Sequence, residues 1–160
     1  MKGLPHRPGA YTEALIGCWE LVRREDRSAS GDLVVDPGLG PDPVGLLVYD
    51  ASGRFSAQFM RRDRSDQLQS AADAAATGTN NTRAIGGYDA YFGRFTVDES
   101  THLVTQTLEG ALAPDNVGVT VTRQMEVDGD DLRLELATTS ATGEPIIRTL
   151  QWRRCLPVDE

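Results

Sequence analysis

Residues 45–60 read GLLVYDASGRFSAQFM, in which two apolar runs flank the sequence DASG. An aspartate that opens such a turn and a glycine that closes it are typical of a type I turn with a G1 bulge, so the stretch predicts a β-hairpin. One face of the hairpin then carries Leu47, Tyr49, Phe55, Ala57 and Phe59, and the other carries Leu46, Val48, Ser56, Gln58 and Met60. Both faces are largely apolar, so we expect one to line an interior and the other to be covered. A register slip of one residue would regroup the two sets.

Strand-like segments follow this hairpin for the rest of the chain. They span residues 88–98, 102–112, 117–127, 132–139 and 145–155. Residues 18–24 alternate in the same way ahead of the hairpin, with Trp19, Leu21 and Arg23 facing one way, and residues 33–35 favour a short strand. Even spacing and short connections predict an all-β fold: a closed antiparallel up-and-down β-barrel of about eight strands. Such a barrel has no exposed edges and is the size that holds one small ligand.

The remaining segments are predicted to lie outside the barrel strands. Residues 1–10 have the composition of a loose arm, ahead of a single barrel domain at residues 11–160. Within that domain, residues 11–16 favour one helical turn with Thr12 as its N-cap. Two further helical segments are predicted, an insertion at residues 65–76 and a short turn at residues 82–85.

Composition and charge narrow the function classes. The chain has 160 residues, a formal net charge of −8 and no stripe of lysine or arginine, so nucleic acid is not an expected partner. No segment is long and apolar enough for a signal peptide or a membrane span, which predicts a cytoplasmic protein without a membrane partner. Cys18 and Cys155 would then stay reduced, although barrel closure makes the first and last strands neighbours, where the two thiols can meet. Homodimerisation is left open.

A Gly-x-Trp sequence and a basic last strand suggest how one end of the barrel closes. Gly17-Cys18-Trp19 opens the first strand, and Trp152-Arg153-Arg154 lies in the last one. This arrangement resembles the calycin barrels, in which a tryptophan of the first strand closes the floor and an arginine of the last strand packs over it. The resemblance implies that Trp19 and Arg154 form the barrel floor.

Longer segments are similar to the bacterial and fungal lipocalin-like domain family. They are GPDPVGLLVYDASGRFSAQFMRRDR (40–64), GGYDAYFGRFTVDE (86–99), LEGALAPDNVG (108–118) and RQMEVDGDDL (123–132). The similarity runs in order from Leu15 onward and implies the fold, but it says little about chemistry because one fold hosts many functions. Family members often carry a His-His pair where this chain has Gln106-Thr107, so an acid/base role of those histidines does not transfer.

The chain lacks the residues that metal and nucleophile sites need. Its histidines are His6, in the arm, and His102, at a hairpin, and it has no phosphate loop, dinucleotide fingerprint or nucleophile elbow. The aspartates at 128, 130 and 131 favour a solvated hairpin over a calcium site. We therefore expect no metal, no nucleotide and no other cofactor.

Polar side chains among aromatic residues of the strands are the candidates for a pocket. The candidate catalytic residues are Tyr49, Gln58, Tyr91 and Glu109, and the candidate ligand-binding residues are Leu47, Phe55, Phe59, Met60, Tyr88, Gln106 and Arg123. Each has a structural alternative, such as a core tyrosine with a hydrogen-bonded tip or a solvated Glu109 on an outer face. On an inner face, Glu109 would be a desolvated base. Arg123 there would need an anionic partner, either Glu109 or an enolate-like ligand.

Two functions fit such a pocket. The first is a cofactor-free cyclase, isomerase or dehydratase acting on a small apolar, polyketide-like molecule in secondary metabolism. Some members of this and related lipocalin-like families resemble such catalysts, including ones that promote pericyclic ring closures. The second is a carrier or sequestering protein for the same ligand, and a protein-interaction role comes third. Convergent polar groups beside aromatic walls would favour the enzyme, whereas a uniformly apolar tunnel would favour the carrier.

Overall fold

The computed structural model describes residues 9–64 and 80–159, in which nine strands form one antiparallel sheet. The strands are β1 (Gly17–Ser28), β2 (Leu33–Val34), β3 (Val44–Tyr49), β4 (Arg54–Met60), β5 (Tyr88–Asp98), β6 (Leu103–Ala111), β7 (Thr120–Asp128), β8 (Asp131–Thr139) and β9 (Pro145–Arg154). Helix α1 (Ala10–Leu15) precedes them, and a 3₁₀ turn, Pro114–Asn116, lies between β6 and β7.

Strand β1 closes the sheet into a barrel because it pairs with a neighbour on each side. It pairs with β3 over Gly17–Glu20 and with β9 over most of its length, while β3 to β9 pair in chain order. Strand β2 adds a short ninth strand against the far end of β1. The prediction of a closed antiparallel up-and-down barrel is thereby confirmed, as eight barrel strands plus one extra strand.

The hairpin of residues 45–60 has the predicted register. Gly53 has φ +87°, its N–H donates to Asp50 O at 3.0 Å, and Asp50 N–H donates to Arg54 O at 2.8 Å, which is the predicted turn. Leu47, Tyr49, Phe55, Ala57 and Phe59 are all buried inside the barrel. Burial of each large side chain removes it from water at a gain of about 1.5–3 kcal/mol, so the inner face is fixed by the hydrophobic effect.

A β-bulge in β1 corrects the predicted alternation of that strand. The pairing of β1 with β9 shifts between Leu21 and Arg23. An extra residue in one strand reverses the faces beyond it, so Trp19 is buried inside while Arg23 is exposed. Beyond the bulge the side chains of Arg24 and Asp26 are buried instead.

The predicted helical turn just before β5 is wrong. Residues 82–85 are not helical: Ile85 pairs with Tyr88 across a two-residue turn, in which Gly86 and Gly87 have φ +61° and +75°. Two consecutive positive φ angles suit the tight turn of a hairpin, and glycine adopts them without a steric penalty. Glycine doublets therefore mark a turn here rather than the end of a helix.

The N-terminal helical segment is present but its cap differs from the prediction. Helix α1 begins at Ala10, inside the predicted arm, with Gly9 rather than Thr12 as N-cap and no side-chain capping bond. Thr12 instead bonds Glu99, which accepts from the backbone N–H groups of Tyr11 and Thr12 and from the Thr12 hydroxyl at 2.9–3.2 Å. A carboxylate from the β5–β6 turn thus takes over the role of the cap.

The predicted helical insertion at residues 65–76 lies outside the described residues. Over residues 9–64 and 80–159, no helix has the length and apolarity needed to cross a bilayer.

Candidate functional site

A cavity lies inside the barrel, between its inward-facing side chains and the segments that cover the end opposite α1. Its polar lining consists of Arg24, Asp36, Thr82, Asp89, Tyr91, Gln106, Arg123 and Arg148. Its apolar lining includes Leu39, Leu47, Phe59, Leu134, Leu150 and Trp152. The free volume is about 40 Å³, room for a few atoms and well below the roughly 300–1,000 Å³ of a pocket that encloses a drug-sized ligand.

Asp89 and Tyr91 enter this cavity from β5, two residues apart and therefore on the same face of the strand. Asp89 is only 2% exposed, and its Oδ2 accepts from the Thr82 hydroxyl at 2.6 Å. Burial raises the pKa of the Asp89 carboxyl to about 6, against the lowering effects of Thr82 and Arg24. Burial also raises the pKa of Tyr91, which Arg123 partly offsets. An acid and a phenol thus face one small space.

Arg123 reaches the same cavity from β7 and is 5% exposed. Its Nη1 donates to Asn80 O and Asn80 Oδ1 at 3.1 and 2.7 Å, and to Thr122 O at 3.0 Å. These oxygens are neutral, and no carboxylate of the described residues lies within 4.0 Å of the guanidinium. Burial accordingly lowers the pKa of Arg123. A buried cation without an anionic partner is costly, so this position favours an anion or a polarised oxygen.

A cluster of ion pairs holds the other two arginines of the cavity. Arg148 binds Asp26 through Nε–Oδ1 at 2.8 Å and Nη2–Oδ2 at 3.1 Å. Arg24 Nη2 donates to Asp36 Oδ2 at 2.6 Å. Burial alone would raise the pKa of Asp36, but Arg24 and Arg148 hold it below its ordinary value. This cluster ties the segment after β2 to the barrel wall.

Tyr49 and Gln106 form a buried polar pair between the cavity and the core. Gln106 Nε2 lies 2.6 Å from the Tyr49 hydroxyl, which in turn lies 3.5 Å from Met125 Sδ. Burial raises the pKa of Tyr49, so this phenol stays protonated at neutral pH. Gln106 Oε1 has no hydrogen-bond partner within the described residues.

Unsatisfied polar atoms concentrate around the cavity. Among the described residues, four residues that line it carry a buried side-chain atom without a hydrogen-bond partner: Arg24 Nε, Asp89 Oδ1, Gln106 Oε1 and Trp152 Nε1. Buried polar groups in native proteins are nearly all partnered, and each unpartnered one costs about 1–3 kcal/mol. Donors and acceptors that converge without partners in one cavity are the signature of a place where a polar ligand or water binds.

The structure brings most of the sequence-predicted residues inside and leaves four outside. Inside the barrel lie Tyr49, Tyr91, Leu47, Phe55, Phe59, Gln106 and Arg123. On the outer surface lie Gln58, Met60, Tyr88 and Glu109. All four were candidates for the pocket, and the structure places none of them at the interior cavity; for Glu109 it selects the outer, solvated alternative. Side chains alternate along a strand, so neighbours of inward residues point outward.

The four outer residues have partners on the surface. The Tyr88 hydroxyl bonds Gln58 Oε1, and Gln58, Met60 and Tyr88 border a shallow groove across β3 to β5. Glu109 Oε1 accepts from Arg94 Nε at 2.8 Å and lies 3.4 Å from Arg54 Nη1. Glu109 is therefore not the anionic partner of Arg123.

The end of the barrel under α1 is closed by a compact arrangement, here called the floor, formed by Leu15, Trp19 and Arg154. The Arg154 guanidinium carbon lies 4.2 Å from the centroid of the Trp19 ring. Arg154 also donates to Ile16 O and Ala14 O at 3.0 and 2.9 Å, and Trp19 Nε1 donates to Leu15 O at 3.0 Å. The floor thus satisfies the carbonyls at the end of the helix.

Sequence reasoning missed Asp89, Arg148 and Arg24. Asp89 precedes the candidate Tyr91 by two residues, and Arg148 lies two residues from the buried Ile146 and Leu150, so strand alternation could have placed both inside. Arg24 carried no such signal, because the bulge that turns it inward is not visible in the pattern. Within the described part of the chain, no three His, Cys, Asp or Glu side chains come close enough together to hold a metal ion.

These features define a class of protein: a small closed β-barrel with a mixed polar and apolar cavity, the architecture of barrels that bind small molecules. The chain belongs to the lipocalin-like domain family, whose model matches residues 16–155. Membership confirms the resemblance carried by the sequence segments and fits the binding of a small hydrophobic molecule. No curated protein matches the chain.

Proposed function

We propose that the barrel binds a small organic molecule through a carbonyl or enolate oxygen and catalyses a cofactor-independent proton transfer on it, as in an isomerisation, cyclisation or dehydration. The observation that carries the proposal is the convergence of Asp89, Tyr91 and Arg123 on one cavity. The cavity combines polar groups with aromatic and aliphatic walls, the arrangement that favours an enzyme over an apolar carrier tunnel.

The three residues divide the chemistry among them. Asp89 Oδ1 has no hydrogen-bond partner within the described residues and is the atom that takes a proton from the carbon next to the carbonyl. Arg123 and the protonated Tyr91 donate to the oxygen that gains negative charge. Asp89 then returns the proton to another carbon of the same molecule, which completes an isomerisation with no cofactor. Since its pKa is about 6, the rate should rise with pH through that value.

The apolar wall of the cavity determines which hydrocarbon part of the ligand can bind. Leu47, Phe59 and Leu150 would contact its hydrocarbon part, and confinement beside them would hold a flexible substrate in a reactive conformation. A cavity of about 40 Å³ accepts the reacting end of a molecule. A multi-ring, polyketide-like ligand therefore fits only if side chains around the cavity move apart. A role in secondary metabolism depends on this enlargement of the cavity.

Binding is tested with benzoate and benzamide, which share one shape but differ in charge. We expect benzoate to bind at least about tenfold more tightly because the buried Arg123 has no carboxylate partner among the described residues. Arg123→Met should abolish the preference, and Arg94→Met, at an exposed arginine that pairs with Glu109, is the matched control. Equal binding of the two compounds to the wild type would contradict the role of Arg123.

Catalysis is tested with small enolisable carbonyl compounds by following hydrogen–deuterium exchange by NMR. Asp89→Asn should slow the exchange by about 100-fold or more, and Tyr91→Phe by a smaller factor. Gln58→Ala, on the outer surface, is the control that should change nothing. Binding without exchange above the buffer rate would point to the carrier instead.

A further inference from the structure

Cys18 and Cys155 meet at the seam where the barrel closes. Cys18 follows Gly17 at the start of β1, and Cys155 directly follows the last residue of β9. Cys155 N–H donates to Cys18 O at 2.8 Å, one step beyond the Trp19–Arg154 pair of the ladder. The two Sγ atoms lie 2.9 Å apart as free thiols. Residues 137 positions apart in the chain thus place their sulfur atoms in contact.

The surroundings of the pair allow a small oxidant to reach it. Both cysteines are partly exposed, and neither lines the interior cavity. Burial, together with the hydrogen bond that the Cys155 thiol donates to Cys18 Sγ, raises the pKa of the Cys155 thiol to about 12. Cys155 is therefore a neutral thiol at physiological pH, which leaves Cys18 as the sulfur expected to react first.

We propose that Cys18 and Cys155 form a reversible redox site, which a low-molecular-weight disulfide such as oxidised glutathione converts into an intrachain disulfide. The Cys18 thiolate attacks one sulfur of oxidised glutathione, which forms a mixed disulfide and releases one glutathione. Cys155 then loses its proton and attacks the Cys18 sulfur, which releases the second glutathione. Two thiol protons and two electrons pass from the protein to the oxidant.

The disulfide would lock the first strand to the end of the last one, next to the floor. A crosslink that closes so long a loop of chain restricts the unfolded state, so the oxidised protein should melt on the order of 10 °C higher than the reduced one. The cavity lies elsewhere in the barrel. This inference therefore does not depend on the proposed function, and oxidation should leave benzoate binding unchanged.

The experiment incubates the full-length wild-type protein in glutathione buffers of increasing oxidised fraction. Each sample is then alkylated, and its intact mass and melting temperature are measured. We expect a monomer that has lost two hydrogen atoms, takes up no alkylating reagent and melts at the higher temperature. Dithiothreitol should reverse all three changes.

Two single-cysteine variants show which cysteine reacts first with oxidised glutathione. Cys155→Ser should accumulate a mixed disulfide with one glutathione, and should do so faster than Cys18→Ser. A wild-type protein that still takes up two alkyl groups in the most oxidising buffer would overturn the proposal. So would one that ends with two bound glutathiones or forms disulfide-linked dimers instead of the internal bond.

Discussion

Trp19 and Trp152 are the two tryptophans of the chain, and both are almost completely buried. Among the described residues, the indole N–H of Trp19 finds a hydrogen-bond acceptor and that of Trp152 does not. Trp19 Nε1 donates to Leu15 O, and the Arg154 guanidinium covers its ring. Trp152 Nε1 has no acceptor in the described part of the chain, and its side chain lines the interior cavity. The same residue type therefore stabilises the floor but leaves an unsatisfied donor beside the cavity.

This difference extends to the residues around each tryptophan. At the floor, the Trp19 indole and the Arg154 guanidinium donate hydrogen bonds to backbone carbonyls, and the guanidinium packs over the indole ring. In the cavity, Asp89 Oδ1 is buried without a hydrogen-bond partner among the described residues, and the acceptors that Arg123 Nη1 meets there are neutral oxygens. Proteins tolerate such local losses of stability mainly at sites that bind or react. The floor therefore stabilises the fold, whereas the cavity is the site that we propose for the ligand, so substitutions at the two should change stability with different sign and size.

The largest effect is expected at the buried ion pair that supports the cavity wall. Arg148→Met removes both hydrogen bonds to Asp26, which is 6% exposed, and leaves that carboxylate with Arg24 at 3.8 Å. Breaking a buried pair from one side should lower the free energy of unfolding by about 3–5 kcal/mol, measured by urea denaturation. Arg94→Met, at an exposed ion pair, is the matched control and should cost less than about 0.5 kcal/mol. A loss below about 1 kcal/mol for Arg148→Met would contradict the structural role.

The second largest effect is expected at Asp89, where the substitution Asp89→Asn should stabilise the protein rather than destabilise it. Because burial raises the pKa of Asp89 from 3.8 to about 6, the folded protein binds a proton more tightly than the unfolded chain. Stability should fall as pH rises from about 4 to 6, by up to about 3 kcal/mol in total. Asp89→Asn cannot ionise, so this variant should be more stable than the wild type above pH 6 while its proton-transfer activity is lost. Denaturation over a pH series measures the difference.

The exposed Asp50 is a control for that experiment, because its substitution should change stability in the opposite direction. The Ser52 hydroxyl and backbone N–H hold its pKa below the ordinary value. Asp50 therefore contributes stability above the ordinary pKa of a carboxyl, and this contribution is lost as pH falls through the folded value. Asp50→Asn should consequently be less stable than the wild type near neutral pH. An Asp89→Asn variant that behaves like Asp50→Asn would contradict the assignment of Asp89 as a desolvated acid.

The two tryptophans can be compared directly with one conservative change. Trp19→Phe and Trp152→Phe remove similar volume, but, among the contacts of the described residues, only Trp19→Phe loses a hydrogen bond and a cation–π contact. Trp19→Phe should therefore be more destabilising than Trp152→Phe by about 2 kcal/mol. Urea denaturation of the two variants gives the difference. Equal losses would mean that the floor contacts add nothing beyond packing.

Sequence patterns predicted the barrel better than its site, for a physical reason. Strand alternation and turn chemistry are local, so the hairpin at residues 45–60 and its inner face could be derived and were confirmed. Burial of charge is not local, since Arg24 and Arg148 enter the barrel only because aspartates from β1 and the segment after β2 meet them there. The bulge at Leu21–Arg23 also changed which charges face inward.

The smallest effect is expected at Glu109, which sequence reasoning had made a candidate base. Its position on the outer face, beside Arg94 and Arg54, exposes it to water, where an ion pair contributes little. Glu109→Gln should change the free energy of unfolding by less than about 0.5 kcal/mol and leave proton transfer at the wild-type rate. Asp89→Asn removes the same charge from the interior cavity and should abolish proton transfer. A Glu109→Gln variant that slows the reaction as much as Asp89→Asn would move the site from the cavity to the outer surface and erase the contrast between them.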